Sequence, residues 1–319
     1  MKKISYLVTL LLVLAVLSGC GNGVKEEKSN ADKGKKITVT ASIYPVADFA
    51  KIVGGEYIDL QLLVPKGVEA HDWEPTAKDI KTIQSSDIFL YNGGGIEPWL
   101  EKILPELLKK NIVVVETGKN LFVEHEEHEH ASDHKHDHSD GHSHNHDGLD
   151  PHIWLNPLLA IKQVESIRDA FVQIDPNNKE HYEKNAAKFI AELQKLHEEY
   201  TALSEKTKGQ EFVTMHTAFA YLALEYDWQQ LALMGIDPHA EPTPAELAQV
   251  IKEVEQKGIK YVFVEPQKDD RLMQEVAKQT KTKVLFLDPL ENPLDDNKGY
   301  LDGMKSNLEN LRKAFLQEE

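Results

Sequence analysis

Three histidines of this chain stand where a predicted strand ends or a turn begins. His71 follows the second predicted strand, His152 lies between two prolines, and His216 ends a strand-like run. Two carboxylates, Glu265 and Asp288, occur at comparable strand ends. In open parallel sheets, ligands bind beyond the carboxyl ends of the strands. Three imidazoles and one carboxylate that met there would form a closed tetrahedral site of the kind that zinc prefers.

A second histidine-rich feature is the segment 124–147, which holds nine His and eight Asp or Glu in 24 residues. Such a polar run cannot form a packed core and is too long for an ordinary loop, so it predicts a disordered loop. Exposed imidazoles among carboxylates favour an auxiliary metal-binding loop, and a solvated spacer with incidental affinity is the alternative. The candidate ligands of this loop are His125, His128, His130, His134, His136, His138, His142, His144 and His146.

The composition limits the classes of protein to which the chain can belong. With 319 residues, 41% of them hydrophobic, it is a folding chain with room for about two domains. Its formal net charge of −17 repels phosphates, which argues against a nucleic-acid partner. The single cysteine excludes an intramolecular disulfide framework. No HExxH signature and no nucleophile–base arrangement is present, so the sequence does not predict an enzyme.

The N-terminus predicts export and anchorage. A short basic start and an apolar run over 6–17 predict a signal peptide at 1–19, because that run is too short for a hydrocarbon core of about 30 Å. The sequence Leu-Ser-Gly-Cys at 17–20 resembles the bacterial lipobox, in which Cys20 becomes a lipidated, for example palmitoylated, N-terminus. An ordinary signal peptide with an incidental cysteine is the alternative. Residues 20–36 have the composition of a flexible tether. The expected location is the extracytoplasmic face of the cell membrane, with membrane lipid held through Cys20.

The elements that must position the candidate ligands alternate between strand and helix. Short apolar strands between helices indicate parallel sheets covered on both faces. We predict an α/β fold of two related lobes, 37–156 and 209–319, joined by a helical linker, 157–208. The stretch 178–206 lacks Gly and Pro and predicts a helical spine of about 45 Å. The sequence EPTAKDI at 74–80 resembles EPTPAEL at 241–247, and both have the pattern of a capping box.

Six motifs carry a resemblance to a known family: HDWEPT (71–76), DPHIWLNP (150–157), VTMHTAFAYL (213–222), EPTPAEL (241–247), VEPQ (264–267) and LDPL (287–290). With them the chain resembles the metal-binding lipoproteins of bacterial ABC importers for zinc and manganese, most closely the high-affinity zinc uptake proteins. The resemblance implies two α/β lobes joined by a rigid helix, with the metal in the cleft between them. It implies His71, His152 and His216 as ligands, with Asp288 in the fourth position. Water or another acid is the alternative there, with Glu69 and Glu265 as additional candidates.

The resemblance also implies the cargo and the partners. Manganese relatives have a glutamate where this chain has His216, and three imidazoles suit Zn²⁺ better than manganese, which favours carboxylates and water. The expected function is capture of Zn²⁺ outside the cytoplasm and its delivery to an ABC permease with its ATPase. A monomer is expected. A manganese-binding protein of the same family and a surface adhesin of the same fold are the alternative functions.

Overall fold

The computed structural model describes residues 36–123, 149–236, 242–266, 268–293 and 298–317. The predicted signal peptide, the tether up to residue 35 with Cys20, and the predicted auxiliary loop 124–147 lie outside the described residues. Within the described ranges, no helix combines the length and the apolar character that crossing a membrane requires.

The first lobe is built on a parallel sheet with helices between its strands. Its elements are β1 (Ile37–Ala41), α1 (Tyr44–Gly54), β2 (Ile58–Leu62), α2 (Ala77–Ser85), β3 (Ile88–Tyr91), α3 (Leu100–Leu107) and β4 (Val113–Glu116). The four strands lie in the order β2-β1-β3-β4. All neighbouring strands run parallel, so their carboxyl ends lie on one edge of the sheet.

The second lobe repeats this arrangement. Its elements are β5 (Glu211–Thr214), α6 (Ala220–Glu225), β6 (Gln229–Ala232), α7 (Pro244–Lys257), β7 (Tyr261–Val264), α8 (Arg271–Thr280), β8 (Lys283–Phe286) and α9 (Tyr300–Leu316). The helices α4 (Pro157–Ile174) and α5 (Lys179–Thr207) lie between the two lobes in the chain. The strand order β6-β5-β7-β8 matches that of the first sheet, and all pairs are again parallel.

Two helices connect the lobes. They are α4 (Pro157–Ile174) and α5 (Lys179–Thr207). A short 3-10 helix precedes each of them, Ile153–Leu155 before α4 and Pro176–Asn178 before α5. A third 3-10 helix, Gly55–Tyr57, follows α1 in the first lobe. The side chain of Asn156 caps α4 by accepting the backbone N–H of Leu158 at 2.8 Å. The 29-residue helix α5 buries one stripe of apolar side chains at helical spacing, which includes Phe189, Leu193 and Leu196.

The hydrophobic core shows that this long helix is central. The largest apolar cluster contains Val39 of the first sheet, Leu193 of α5 and Phe263 of the second sheet. The outer face of each sheet has a smaller cluster of its own, around Phe89 in the first lobe and Val262 in the second. Residues from Lys36 onward group into one compact unit, because the inner faces of both sheets pack on the same helices.

The α/β class, the paired lobes and the long central helix confirm the predicted fold. Both predicted capping boxes are present. The side chain of Thr76 accepts the backbone N–H of Asp79 while the Asp79 carboxylate accepts the backbone N–H of Thr76. Thr243 and Glu246 make the same reciprocal pair at the start of α7. These caps begin the second helix of the first lobe and a matching helix of the second, so the sequence repeat corresponds to a structural repeat.

Candidate metal centre

Four side chains from loops of both lobes meet between the sheets. His71 lies in the irregular segment after β2, and His152 directly precedes the 3-10 helix that leads into α4. His216 follows β5, and Glu291 lies in the loop after β8. The first lobe and its linker thus contribute two imidazoles, while the second lobe contributes one imidazole and one carboxylate.

The ligand atoms of His71, His152 and Glu291 lie close together, and His216 joins them through Glu291. The Nε2 atom of His152 lies 3.4 Å from Nε2 of His71 and 3.3 Å from Oε1 of Glu291. Among the described residues, His71, His152 and Glu291 form a group whose ligand atoms all lie within 4.8 Å of one another. His216 reaches this group through Glu291, whose Oε1 atom is 3.6 Å from His216 Nε2. Donors at zinc-ligand distance from one tetrahedral ion lie about 3.3–3.6 Å apart, and the 3.9 Å between Nε2 of His71 and Oε1 of Glu291 is slightly longer than this.

The site is closed from solvent on most sides. His152, His216 and Glu291 are at most 3% exposed. The side chain of His71 is 13% exposed, which makes it the most accessible of the four. An ion held by all four donors would therefore be shielded from water except near His71.

The ring of His152 is held by a carboxylate two residues earlier in the chain. Nδ1 of His152 donates to Oδ1 of Asp150 at 2.7 Å, and the backbone N–H of His152 donates to the same oxygen at 2.8 Å. This contact fixes the tautomer in which Nε2 is directed toward the site. Burial lowers the pKa of His152, but the charge and hydrogen bond of Asp150 outweigh burial and raise the pKa above its usual value.

His216 is held in the same way by a residue distant in the chain. Its Nδ1 donates to Oε1 of Glu265 at 2.5 Å, and both side chains are buried. The Nε2 atom of His216 is buried and faces Oε1 of Glu291 at 3.6 Å, so it is directed toward the same group as His71 and His152. Burial lowers the pKa of His216, but the charges and hydrogen bonds of Glu265 and Glu291 outweigh it and raise the pKa to about 10.

The charges of the site suit the exchange of protons for a divalent cation. Burial raises the pKa of Glu291, but hydrogen bonds from His152 and His216 outweigh it and hold the pKa well below its usual range. Buried carboxylates therefore face two imidazoles that bind protons readily. Because Zn²⁺ carries the charge of two protons, replacing both protons by one Zn²⁺ leaves the total charge of the buried site unchanged.

Sequence reasoning missed Glu291. The strand-end rule favoured Asp288, which comes two residues after β8, over an acid three residues farther along. A turn carries the chain past Asp288: Leu290 has a φ of +57°, and Leu290 packs against Gly303, where a Cβ would overlap its side chain. The signal that was available is the acid directly after the LDPL motif, but its direction depends on this turn.

Asp288 stabilises that turn. Its Oδ1 atom accepts the backbone N–H of Leu290 at 2.8 Å, and its own backbone N–H donates to Oδ1 of Asn307 at 2.8 Å. Burial and the nearby charges of Glu265 and Glu291 raise the pKa of Asp288 to about 7. Asp288 is thus close enough to affect the site electrostatically, and the structure groups Glu291, rather than Asp288, with the imidazoles.

The structure also locates the two additional acids that the sequence left open. Glu265 holds the Nδ1 side of His216, so it supports a ligand from behind. Glu69 forms an ion pair with Lys268 of the second lobe. Of the sequence candidates for the structured site, His71, His152 and His216 lie around Glu291, while Asp288, Glu69 and Glu265 make other contacts within the described residues. The nine histidines of 124–147 lie outside the described residues.

A sequence profile of the ZnuA family, the periplasmic component A of zinc-uptake complexes, matches residues 39–314. The chain belongs to the ZnuA family. Among relatives, it is 38% identical to the high-affinity zinc uptake system protein ZnuA of Bacillus subtilis. The alignment spans 321 residues and covers 99% of this chain and 98% of that protein. This membership confirms the family that the six sequence motifs indicated.

Solved structures of ZnuA-like proteins share the fold. Zn(II)-bound AdcA from Streptococcus pneumoniae superimposes with a TM-score of 0.74 at 33% identity, covering 88% of this chain and 58% of that chain. This chain therefore corresponds to a little over half of AdcA. The laminin-binding protein Lmb of Streptococcus agalactiae, described as bifunctional with adhesin and metal-transporting activity, gives a TM-score of 0.75 at 31% identity, covering 88% of this chain and 99% of that chain.

Proposed function

We propose that this chain captures Zn²⁺ outside the cytoplasm and delivers it to an ABC permease and its ATPase. The observation that carries the proposal is the convergence of His71, His152, His216 and Glu291 between the lobes. Four protein donors around one ion leave no open position for a substrate or an activated water, so the site binds its cargo and performs no catalysis. The chain is a transport component and not an enzyme, in keeping with its family.

The donor set favours zinc over manganese. Three nitrogen donors and one oxygen donor suit the borderline-soft Zn²⁺ ion, whereas Mn²⁺ prefers carboxylate and water oxygens. The carboxylates behind His152 and His216 make these imidazoles more basic, which strengthens a zinc–nitrogen bond.

A competitive titration of the purified protein tests the cargo. We expect one tightly bound Zn²⁺ per chain, and we expect excess Mn²⁺ to leave that zinc in place. Displacement of zinc by equimolar manganese would support the manganese alternative. No tight zinc site at all would overturn the proposed function.

The fourth ligand can be tested with a matched pair of isosteric substitutions. Glu291→Gln removes the proposed ligand charge, and we expect zinc affinity to fall at least about a hundredfold, beyond the loss of about 10–100-fold typical of supporting residues. Asp288→Asn keeps an oxygen to accept the Leu290 N–H, and we expect a change below about tenfold. The opposite ranking would make Asp288 the ligand and Glu291 its support.

The location rests on the sequence. We propose that residues 1–19 are removed, that lipid on Cys20 anchors the protein to the extracytoplasmic face of the cell membrane, and that 20–36 tethers a monomer of two lobes, 37–156 and 209–319, joined by 157–208. An anchor holds the binding protein at high local concentration near its permease. Cys20→Ser should move the protein from the membrane fraction to the medium or leave the precursor uncleaved. Unchanged processing and membrane retention would contradict the lipid anchor.

Adhesion is the second candidate function, because the similar protein of S. agalactiae is described as both adhesin and metal transporter. The two functions predict different dependence on the metal centre. If transport is the function, Glu291→Gln should impair growth at low zinc. If the surface is adhesive, purified protein should bind immobilised laminin whether or not Glu291 is intact, and absence of laminin binding would remove this candidate.

A further inference from the structure

The side chain of Asn292 reaches from the second lobe to the backbone of the first. Its Oδ1 atom accepts the backbone N–H of Gly67 at 2.8 Å, and its Nδ2 atom donates to the carbonyl of Val68 at 3.2 Å. One amide thus pairs with the backbone of two successive residues. More than two hundred positions separate these partners in the chain, so the contact exists only while the two lobes are together.

Each end of this contact is joined to a proposed zinc ligand. Asn292 directly follows Glu291, and Gly67 and Val68 lie shortly before His71. The backbone of this segment turns sharply, since the Val68 N–H donates to the Pro65 carbonyl and Gly67 adopts a φ of +80°. The amide therefore holds the segment that carries the most exposed ligand against the segment that carries the carboxylate.

A second link between the same two lobes lies beside the first. Glu69 forms an ion pair with Lys268, and the Glu69 side chain is only 10% exposed. Lys268 follows closely after Glu265, the residue that holds His216. The short segment 67–69 is thus joined to the second lobe at two points. One is on the loop that carries Glu291, and the other is on the loop that follows Glu265.

We propose that Asn292, aided by the Glu69–Lys268 ion pair, is a positioning residue that fastens the His71 segment to the Glu291 loop and thereby slows the release of zinc. This inference rests on the proposed function. Zinc bound to both His71 and Glu291 must also hold these two segments together. The interlobe amide contact and the ion stabilise the same closed arrangement, so loss of the contact makes opening easier. Release then begins at His71.

Zinc release from Asn292→Ala is the central measurement. The substitution removes two hydrogen bonds between the lobes and none of the four ligands. Each such bond contributes modestly, so we expect release into excess chelator to be about tenfold faster, with one tight zinc per chain retained. Co²⁺ bound in place of zinc should give the same visible absorption spectrum as in the unaltered protein, because the donor set and its geometry are unchanged.

Asn310→Ala is the matched control. The Asn310 amide also donates to a backbone carbonyl, that of Phe286 at 2.9 Å, but within the second lobe. It should lower thermal stability as Asn292→Ala does and leave the zinc release rate unchanged. Lys268→Met should speed release by a smaller factor than Asn292→Ala, because the ion pair is partly exposed to solvent.

Two results would overturn the positioning role. One is a release rate in Asn292→Ala equal to that of Asn310→Ala, and the other is an altered Co²⁺ spectrum, which would mean that the ligand geometry itself had changed. Absence of a tight zinc site in the unaltered protein would overturn the proposed function and this inference together. Tight binding in the unaltered protein with unchanged release in the variant would overturn this inference alone.

Discussion

The two lobes hold their buried imidazoles by the same device, built over very different distances in the chain. In the first, Asp150 holds His152 from two residues away and also accepts the His152 backbone N–H. In the second, Glu265 holds His216 from 49 residues away, at the end of the adjacent strand β7. Both contacts leave Nε2 directed toward the same point between the lobes.

This difference shows which half of the site depends on the folded lobe. The Asp150–His152 contact requires only a short segment to turn, and the Asn92 amide then fixes that segment by donating to the Pro151 carbonyl at 2.9 Å. The Glu265–His216 contact requires β5 and β7 to pair in register. One imidazole is thus oriented locally, while the other is oriented by tertiary structure.

Removing each imidazole gives the largest expected effect. His216→Ala and His152→Ala should both weaken zinc binding by more than about a hundredfold, because the remaining donors cannot complete the coordination shell. Competition against a zinc chelator in protein lacking 124–147 would measure this without the predicted weaker sites. Unchanged affinity in either variant would mean that its imidazole is not a ligand. The two lobes would then not contribute equivalent imidazole ligands to the site.

Removing only the supporting charge sharpens the comparison. Asp150→Asn and Glu265→Gln keep an oxygen that can accept the imidazole N–H, and each should weaken zinc binding by about 10–100-fold. We expect the larger loss for Glu265→Gln, because Asp150 holds His152 by a backbone contact as well. Isothermal titration of both variants tests this ranking. Equal losses would show that charge matters here and distance along the chain does not.

The response to pH should also differ between the two imidazoles. The raised pKa of His216, about 10, means that zinc displaces a proton there at neutral pH, and His152 contributes a further fraction. Zinc affinity should therefore rise as pH increases toward about 10 and fall as pH decreases. In contrast, protonated His216 stabilises the zinc-free fold fully below its unfolded pKa of about 6.5, and this stabilisation is lost as pH rises through about 10.

Calorimetry in buffers of different ionisation enthalpy would count the protons released per zinc. We expect between one and two for the unaltered protein, and fewer for Glu265→Gln, because the loss of this charge lowers the pKa of His216. Release of no protons near neutral pH would contradict the raised pKa values.

The smallest effect on the tight site is expected from deletion of 124–147. The structured ligands are held before zinc arrives, whereas a segment of this composition must lose conformational entropy for each ion that it chelates. Deletion should remove several weak, fast-exchanging ions and leave one tight site and most transport intact. Growth should suffer, if at all, only when zinc is very scarce. Loss of the tight site on deletion would place primary ligands in this segment.

Much of this protein was determined within short stretches of sequence. The capping boxes at Thr76 and Thr243 depend on residues three positions apart, and α5 depends on an uninterrupted apolar spacing, so both could be predicted. His71, His152 and His216 could be proposed as ligands because of their motifs and their places beside strands and turns. The Asp150–His152 contact is equally local, so the two-residue spacing of this acid and this histidine could also have predicted it.

Tertiary structure decided the rest. Whether Glu291 or Asp288 is directed toward the imidazoles depends on the left-handed turn at Leu290 and on Asn307 of α9, neither of which is fixed by the spacing of two acids. The role of Glu265 depends on the pairing of β5 with β7, and the contact of Asn292 depends on the packing of two lobes on one set of helices. Local sequence fixes what lies within a few residues, because short segments have few conformations. The convergence of four loops requires the sheets, their register and the shared core to form first.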